Sequence, residues 1–324
     1  MSLLPRRIVV LGTGGTIAGS SDDASANVGY TAGTVPVAAL LQHVTPPAHI
    51  TLVTEQVAQL DSKDMDVATW QRLHARCVQW LSEPDVAAVI ITHGTDTIEE
   101  TAFFLRAALH ARKPVVLTCA MRPATSRAPD GPQNLRDALA VALHVEARGV
   151  LVVAAGEIHG AADVRKVHPY RVNAFASGDA GVLGYVEEGQ VRLVRDWPPA
   201  EPLLALTAEA IARAAHAWPR VEIVVSHAGT GGGLIELLIR ERQDSRTGAA
   251  DGLVLAATGN GTLHHAIERL AERAHAAGID VVVATRCADG PMVGVTSSCY
   301  YRSSPYSPVK ARVALLLRLL ALQK

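Results

Sequence analysis

Three short runs constrain this chain more than anything else in it: VAAVIIT at 86–92, PVVLTC at 114–119 and VLVVA at 150–154. Each is almost wholly apolar, so each predicts a strand buried on both faces, inside a parallel sheet covered by helices. Helical patterns separate them. Residues 65–81 place Val67, Trp70, Leu73, Cys77 and Leu81 on one face; residues 97–111 open on Thr97 and Glu100, a T-x-x-E spacing that predicts a capping box; residues 134–147 make a third helix. With a first strand at 8–11, this β-α-β-α rhythm predicts an α/β fold. The expectation is a larger domain with a mostly parallel sheet and helices on both faces.

From 190 to 212 the rhythm weakens, and RDWPPAEPLL at 195–204 is proline-rich. It then restarts, with strands expected at 221–225, 253–257 and 281–284, helices at 234–242 and 263–276, and a last helix opening on Ser307-Pro308 and running to the C-terminus. The expected organisation is a larger N-terminal domain at 1–190, a linker at 191–212 and a smaller C-terminal α/β domain at 213–324. Of 324 residues, 49% are hydrophobic and 19% charged, which argues for a sizeable core and against disorder. Aromatics are scarce, so that core is expected to be mainly Val, Ile, Leu and Ala.

The formal charge is −1 and no basic block is present, which argues against a nucleic-acid partner. No apolar stretch is long enough to predict a membrane span. Cys77, Cys119, Cys287 and Cys299 form no C-x-x-C pair, so zinc and redox motifs are not expected, and reduced thiols in the cytoplasm are. Arg6 and Arg7 lead straight into a strand, not into a cleavable apolar segment; a periplasmic location would need a signal preceding this numbering. His264-His265 lacks H-E-x-x-H spacing, so no metal site is expected there.

In open parallel sheets ligands sit beyond the carboxyl ends of the strands. Four loops qualify: 12–20, 93–97, 120–134 and 258–261. The first, in VVLGTGGTIAGS, is no dinucleotide fingerprint, because Ile17 stands where the third glycine belongs, and it lacks the lysine of a P-loop. A tight turn with threonines bonded to backbone is the plain alternative. The second, THGTDT at 92–97, sets Thr95 and Asp96 just past a buried strand and just before a helix N-terminus, where orphan N–H groups favour an anion or oxyanion. SHAGTGGG at 226–233 also lacks a lysine and is expected to bend a strand into a helix. His93 is expected to pack beside its loop, not to catalyse.

Two hydroxyl loops at two strand ends, one holding an acid, suit a hydroxyl-nucleophile amidase better than a cofactor site. TGGTIAG at 13–19 together with ITHGTDTIEETAFFL at 91–105 resembles the two signature segments of the bacterial L-asparaginase/glutaminase family. The likeness continues through DSKDM (61–65), KPVVLTCAMRP (113–123), DGPQNLRDA (130–138), GVLGYV (181–186), GNGTL (259–263) and VKARVALL (309–316), over nearly the whole chain. The resemblance implies Thr16 as nucleophile, Tyr30 on a lid segment orienting it, and a second cluster of Thr95, Asp96 and Lys166. It implies substrate contacts from Gly15, Ser62, Lys63, Gly94, Thr95 and Asp96, with Ser62 holding the α-carboxylate and Asp96 the α-ammonium. It implies no cofactor or metal, L-asparagine as substrate, and a homotetramer of intimate dimers with sites between the larger domain of one subunit and the smaller domain of its neighbour.

The chemistry explains these residue types. A carboxamide is a poor electrophile and ammonia a poor leaving group, so an acyl-enzyme divides one hard step into two easier ones. A hydroxyl needs help losing its proton, worth roughly 10²–10⁴ in rate, and backbone N–H groups of a glycine-rich turn can meet the oxyanion. At its reference pKa of ~10.4 a lysine is almost wholly charged at neutral pH. The expectation is therefore an ion-paired Lys166 that stays charged and polarises Thr95 or a water.

Two departures from the family bear on selectivity. Lys63 stands where many members carry Gln or Glu facing the substrate ammonium, which a cation would repel unless it turns away or pairs with an acid. Between Cys287 and Lys310 the only acid is Asp289, so Tyr300, Tyr301 or Arg302 fills the place of the neighbour-subunit acid. The expected activity is hydrolysis of L-asparagine to L-aspartate and ammonia, with minor glutaminase activity. The rivals are a glutamine-preferring or broad amidase, an asparaginase-like subunit of a tRNA-dependent amidotransferase, disfavoured by the near-neutral charge, and a binding protein with a dead site, disfavoured because Thr16, Tyr30, Thr95, Asp96 and Lys166 occur together.

Overall fold

In the computed structural model, which describes residues 6–42, 44–294 and 298–323, the first strand is the axis of the larger unit. Strand β1 (Arg6–Gly14) pairs in parallel with β2 (Ile50–Leu60) on one side and with β3 (Val86–Thr92) on the other. Strands β4 (Val115–Thr118) and β5 (Val150–Ala154) continue the parallel sheet. Strands β6 (Glu157–Gly160), β9 (Gly184–Glu187) and β10 (Gln190–Leu193) extend it in antiparallel pairs, and β7 (Arg165–Lys166) with β8 (Phe175–Ala176) forms a small hairpin of its own. The sheet order is β10-β9-β6-β5-β4-β3-β1-β2.

Full burial of the central strands explains their composition: every residue of β3, β4 and β5 is buried. One face, carrying Ile8, Val10, Ala88, Ile90, Val116, Leu151 and Val153, packs on Leu135, Ala138, Leu139 and Ala142 of helix α4 (Gly131–Leu143). The alternate residues Val9, Leu11, Val89, Ile91 and Val152 are equally buried on the opposite face, the side of helices α2 (Val67–Ser82) and α3 (Ile98–Ala108). A short helix α1 (Val37–Leu40) packs on β1 and β2.

The second unit is Leu204–Lys324, the first Met1–Leu203. Its all-parallel sheet runs β11 (Val221–Val225), β12 (Gly252–Ala257), β13 (Asp280–Thr285), β14 (Arg302–Ser303). Helix α5 (Ala208–Ile211) precedes it. Helices α6 (Gly233–Gln243) and α7 (His265–Ala276) share one apolar cluster with the sheet, and α8 (Pro308–Leu322) packs on β11, β12 and β13. The glycine run at 226–233 does turn a strand into a helix: β11 ends at Val225, and Gly232 takes a left-handed φ of 77° just before α6.

Three local expectations differ from the structure. Thr97 precedes α3 but makes no side-chain capping bond; its hydroxyl donates to the Ser62 carbonyl at 2.7 Å instead. Ser307 likewise makes no capping bond, although Pro308 does open α8 as expected. Residues 191–212, expected as a linker, carry most of β10 and all of α5, and Trp197 within the proline-rich stretch belongs to the larger unit's core. Lys324, to which the last helix was expected to run, lies outside the described residues.

Candidate active site

The chain enters the sheet at β1, goes to one side for β2 and to the other for β3. Loops leaving the carboxyl ends of β1 and β3 therefore diverge around a crevice, the topological switch point where open α/β sheets bind ligands. The loop after β1 carries Gly15 and Thr16; the loop after β3 carries Gly94, Thr95 and Asp96.

Close approach of backbone explains the glycines. Gly15 has φ of 78°, and a Cβ on it would overlap the backbone of Gly94. A Cβ on Gly94 would in turn lie 2.7 Å from Ser62 Cβ. Three loops thus meet with no room for a methyl group, and Gly15 N–H donates to the Leu60 carbonyl at 2.8 Å. The loop under Gly94 is braced from below. Thr13 Oγ1 donates to the Thr92 carbonyl at 2.9 Å, and the His93 ring, fully buried, donates from Nδ1 to the Gly94 carbonyl at 2.7 Å. Burial drives the His93 pKa down to about 4, so at neutral pH the ring is uncharged.

The hydroxyls sit one residue beyond the crossing. Thr16, 6% exposed, has its Oγ1 2.6 Å from Tyr30 Oη. The Tyr30 phenol is half-buried. Desolvation raises its pKa, the Thr16 hydrogen bond opposes that, and the negative charges of Asp61 and Asp96 add to it. It is therefore a neutral phenol at physiological pH. Thr95 Oγ1 accepts from Lys166 Nζ at 2.8 Å, and the same ammonium pairs with Asp96 Oδ1 at 2.6 Å. Lys166 is ion-paired as expected. Its side chain is 17% exposed, whereas that of Asp96 is 52% exposed and opens on a recess of about 400 Å³ lined also by Val167, His168 and Pro169.

Ser62, buried beside Gly94, accepts the Asp96 backbone N–H at 3.1 Å. Lys63 turns outward. Its ammonium pairs with Asp64 at 2.8 Å and Asp61 at 3.1 Å, and those hydrogen bonds raise its pKa. The structure thus gathers Gly15, Thr16, Tyr30, Ser62, Gly94, Thr95, Asp96 and Lys166 into one constellation, with the Lys63 head directed to its neighbouring acids.

Residues 7–199 match the family model described as asparaginase, N-terminal, and residues 220–323 match the glutaminase/asparaginase C-terminal domain. The chain is 35% identical over 320 residues to L-asparaginase 2 of Escherichia coli K12, covering 96% of this chain and 88% of that protein. It is 32% identical over 321 residues to L-asparaginase 2 of Bacillus subtilis strain 168, covering 96% and 82%. The chain belongs to the asparaginase family. The crystal structure of a probable cytoplasmic L-asparaginase from Campylobacter jejuni superposes with a TM-score of 0.86 at 35% identity, covering 97% of this chain and 95% of that one.

Within this asparaginase-family site, two contributions had no place in the sequence reading. Strand β2 was missed, though it delivers Leu60 to Gly15 and leads into Ser62; its signal was the concentration of β-branched residues Ile50, Thr51, Val53, Thr54 and Val57. The Thr97 hydroxyl, read as a cap, is spent on Ser62, a contact across 35 residues that local spacing does not encode.

Proposed function

We propose that this chain hydrolyses L-asparagine to L-aspartate and ammonia through an aspartyl ester on Thr16, with minor activity on glutamine. The observation that supports it most is the pairing of two activated hydroxyls at one loop crossing: Thr16 on the Tyr30 phenol, and Thr95 on an ion-paired Lys166.

The substrate's α-ammonium is held by the open side of Asp96, and its α-carboxylate by Ser62. Thr16 Oγ1 attacks the side-chain carboxamide carbon. Its proton passes to Tyr30 Oη as the phenol releases its own toward the leaving nitrogen, so the phenol is a relay and never a free phenolate base. Backbone N–H groups of the two loops face the oxyanion. Collapse breaks the C–N bond and expels ammonia. Water then attacks the ester, polarised by Thr95 and the Lys166 ammonium, and aspartate leaves as Thr16 regains its proton. Lys166 takes no proton from Thr16 in this scheme; its Nζ stays paired with Asp96 Oδ1, 2.6 Å away, and donates to Thr95 Oγ1. The local pairing of Lys63 with Asp61 and Asp64 removes the repulsion its charge would otherwise exert on the substrate ammonium.

The reading extends to a cytoplasmic homotetramer, supported by the relatedness to the Campylobacter protein named as cytoplasmic and by the large apolar side chains Leu234 and Leu237 that α6 leaves more than half exposed. Ammonia release from asparagine and glutamine, measured side by side, tests the activity. Thr16→Ala should lose about 10³-fold or more in kcat, and intact-mass analysis of quenched wild-type enzyme should find the aspartyl adduct on the peptide containing Thr16. Undiminished turnover in Thr16→Ala would move the nucleophile to Thr95.

A further inference from the structure

Lys166 does not stand on the main sheet. It is the second residue of β7, a two-residue strand paired only over Arg165–Ala176 and Lys166–Phe175 with β8. A side chain delivered from so short a hairpin needs its turn fixed if the ammonium is to meet Thr95 and Asp96 within tenths of an ångström. Backbone bonds from Val167 N and His168 N to the Ala174 carbonyl close the base of that turn, and Lys166 N–H reaches Glu99 Oε1 at 3.4 Å.

The tip is tied by one ring. His168 Nδ1 accepts the Tyr170 amide N–H at 3.0 Å and the Arg171 amide N–H at 2.9 Å. This is the geometry by which an Asn or Asp oxygen closes a turn on the amides two and three residues ahead, with Pro169 between presetting its φ. Accepting at Nδ1 requires the neutral ring with its proton on Nε2. The ring also lines the recess shared by Asp96 and Lys166.

We propose that His168 is a positioning residue: by accepting the Tyr170 and Arg171 amides at Nδ1 it closes the turn that presents Lys166 to Thr95 and Asp96. It acts through Lys166 and does not itself touch the reacting atoms. The inference rests on the function proposed above for its catalytic consequence, but not for the turn itself.

Three substitutions separate this role from others. Asn Oδ1 occupies the place of His Nδ1, Gln Oε1 or Nε2 reaches only the place of His Nε2, and Leu offers neither. In His168→Leu, hydrogen exchange should accelerate at the Tyr170 and Arg171 amides with the melting temperature little changed, and kcat should fall about 10- to 100-fold, more than KM rises. His168→Asn should recover most of the lost kcat and of the amide protection; His168→Gln should recover neither. Unchanged exchange in His168→Leu overturns the proposal. So does rescue by Gln but not Asn, which would place the ring's Nε2 against the substrate, and so does a kcat indifferent to all three. If the wild-type enzyme releases no ammonia from asparagine or glutamine, the proposed function fails, and the exchange experiment decides the turn by itself.

Discussion

A methyl group on Gly94 has no place to go, because its Cβ would sit 2.7 Å from Ser62 Cβ while the backbone of Gly15 presses from the other side. Gly94→Ala is expected to destabilise the fold by about 1–3 kcal/mol, as overpacked interiors do, and to raise KM for asparagine by displacing Ser62; thermal melts and steady-state kinetics check both. His93 makes a second prediction at this scale. Its pKa is about 4 when folded, against an ordinary value of 6.5, because burial penalises the charged ring. The unfolded chain therefore binds a proton that the folded one refuses below pH 6.5. The stability His93 confers is whole above pH 6.5 and lost as pH falls toward 4, up to about 3 kcal/mol. Melting temperatures measured from pH 7 to 4 should fall less steeply in His93→Gln. Buried His74, whose pKa burial also lowers, keeps part of the slope in either protein.

At the scale of elements, the start of α3 shows how a local motif is put to another use. The T-x-x-E spacing of Thr97 and Glu100 is genuine, yet the hydroxyl that would cap the helix holds the Ser62 carbonyl instead. Thr97→Ala should consequently raise KM several-fold with a stability loss under the roughly 1 kcal/mol of a lost cap, read from kinetics and melts on the same preparation. The loop before α4 is similar. Asp130 precedes the helix, but its carboxylate accepts Met121 N–H and Arg122 N–H at 2.9 Å each, and Asn134 Nδ2 reaches the Cys119 carbonyl. These residues knit a loop at the end of β4, which explains why α4 begins at Gly131, before the 134 that periodicity predicted. Strand β2 escaped notice for a different reason: with many of its residues partly exposed, it lacks the unbroken apolar run that marks β3.

For the whole molecule, the near-neutral charge and a core of aliphatic residues in one mostly parallel and one all-parallel sheet agree with an α/β enzyme that binds a small polar substrate. The proposed tetramer predicts a sedimentation or light-scattering mass four times that of the 34.2 kDa chain. A monomeric mass for active enzyme would remove the neighbouring subunit from the site. Polar substitution at Leu234 and Leu237, both exposed on α6, should lower that mass if this face joins subunits.

The amino-acid sequence alone determined the fully buried strands, the longer helices and the chemistry of the loops that follow those strands. Apolar runs and helical spacing depend on neighbours a few residues apart, so β3, β4 and β5 were legible, as were the hydroxyl and acid loops that follow strands. What only the tertiary structure decided is which loops meet. Placing β1 between β2 and β3 brings Gly15 onto Gly94 and Ser62, and the hairpin carries Lys166 across 70 residues to Asp96. Those contacts arise from burying strands side by side and from pairing charges that are distant along the chain, and no local periodicity records either.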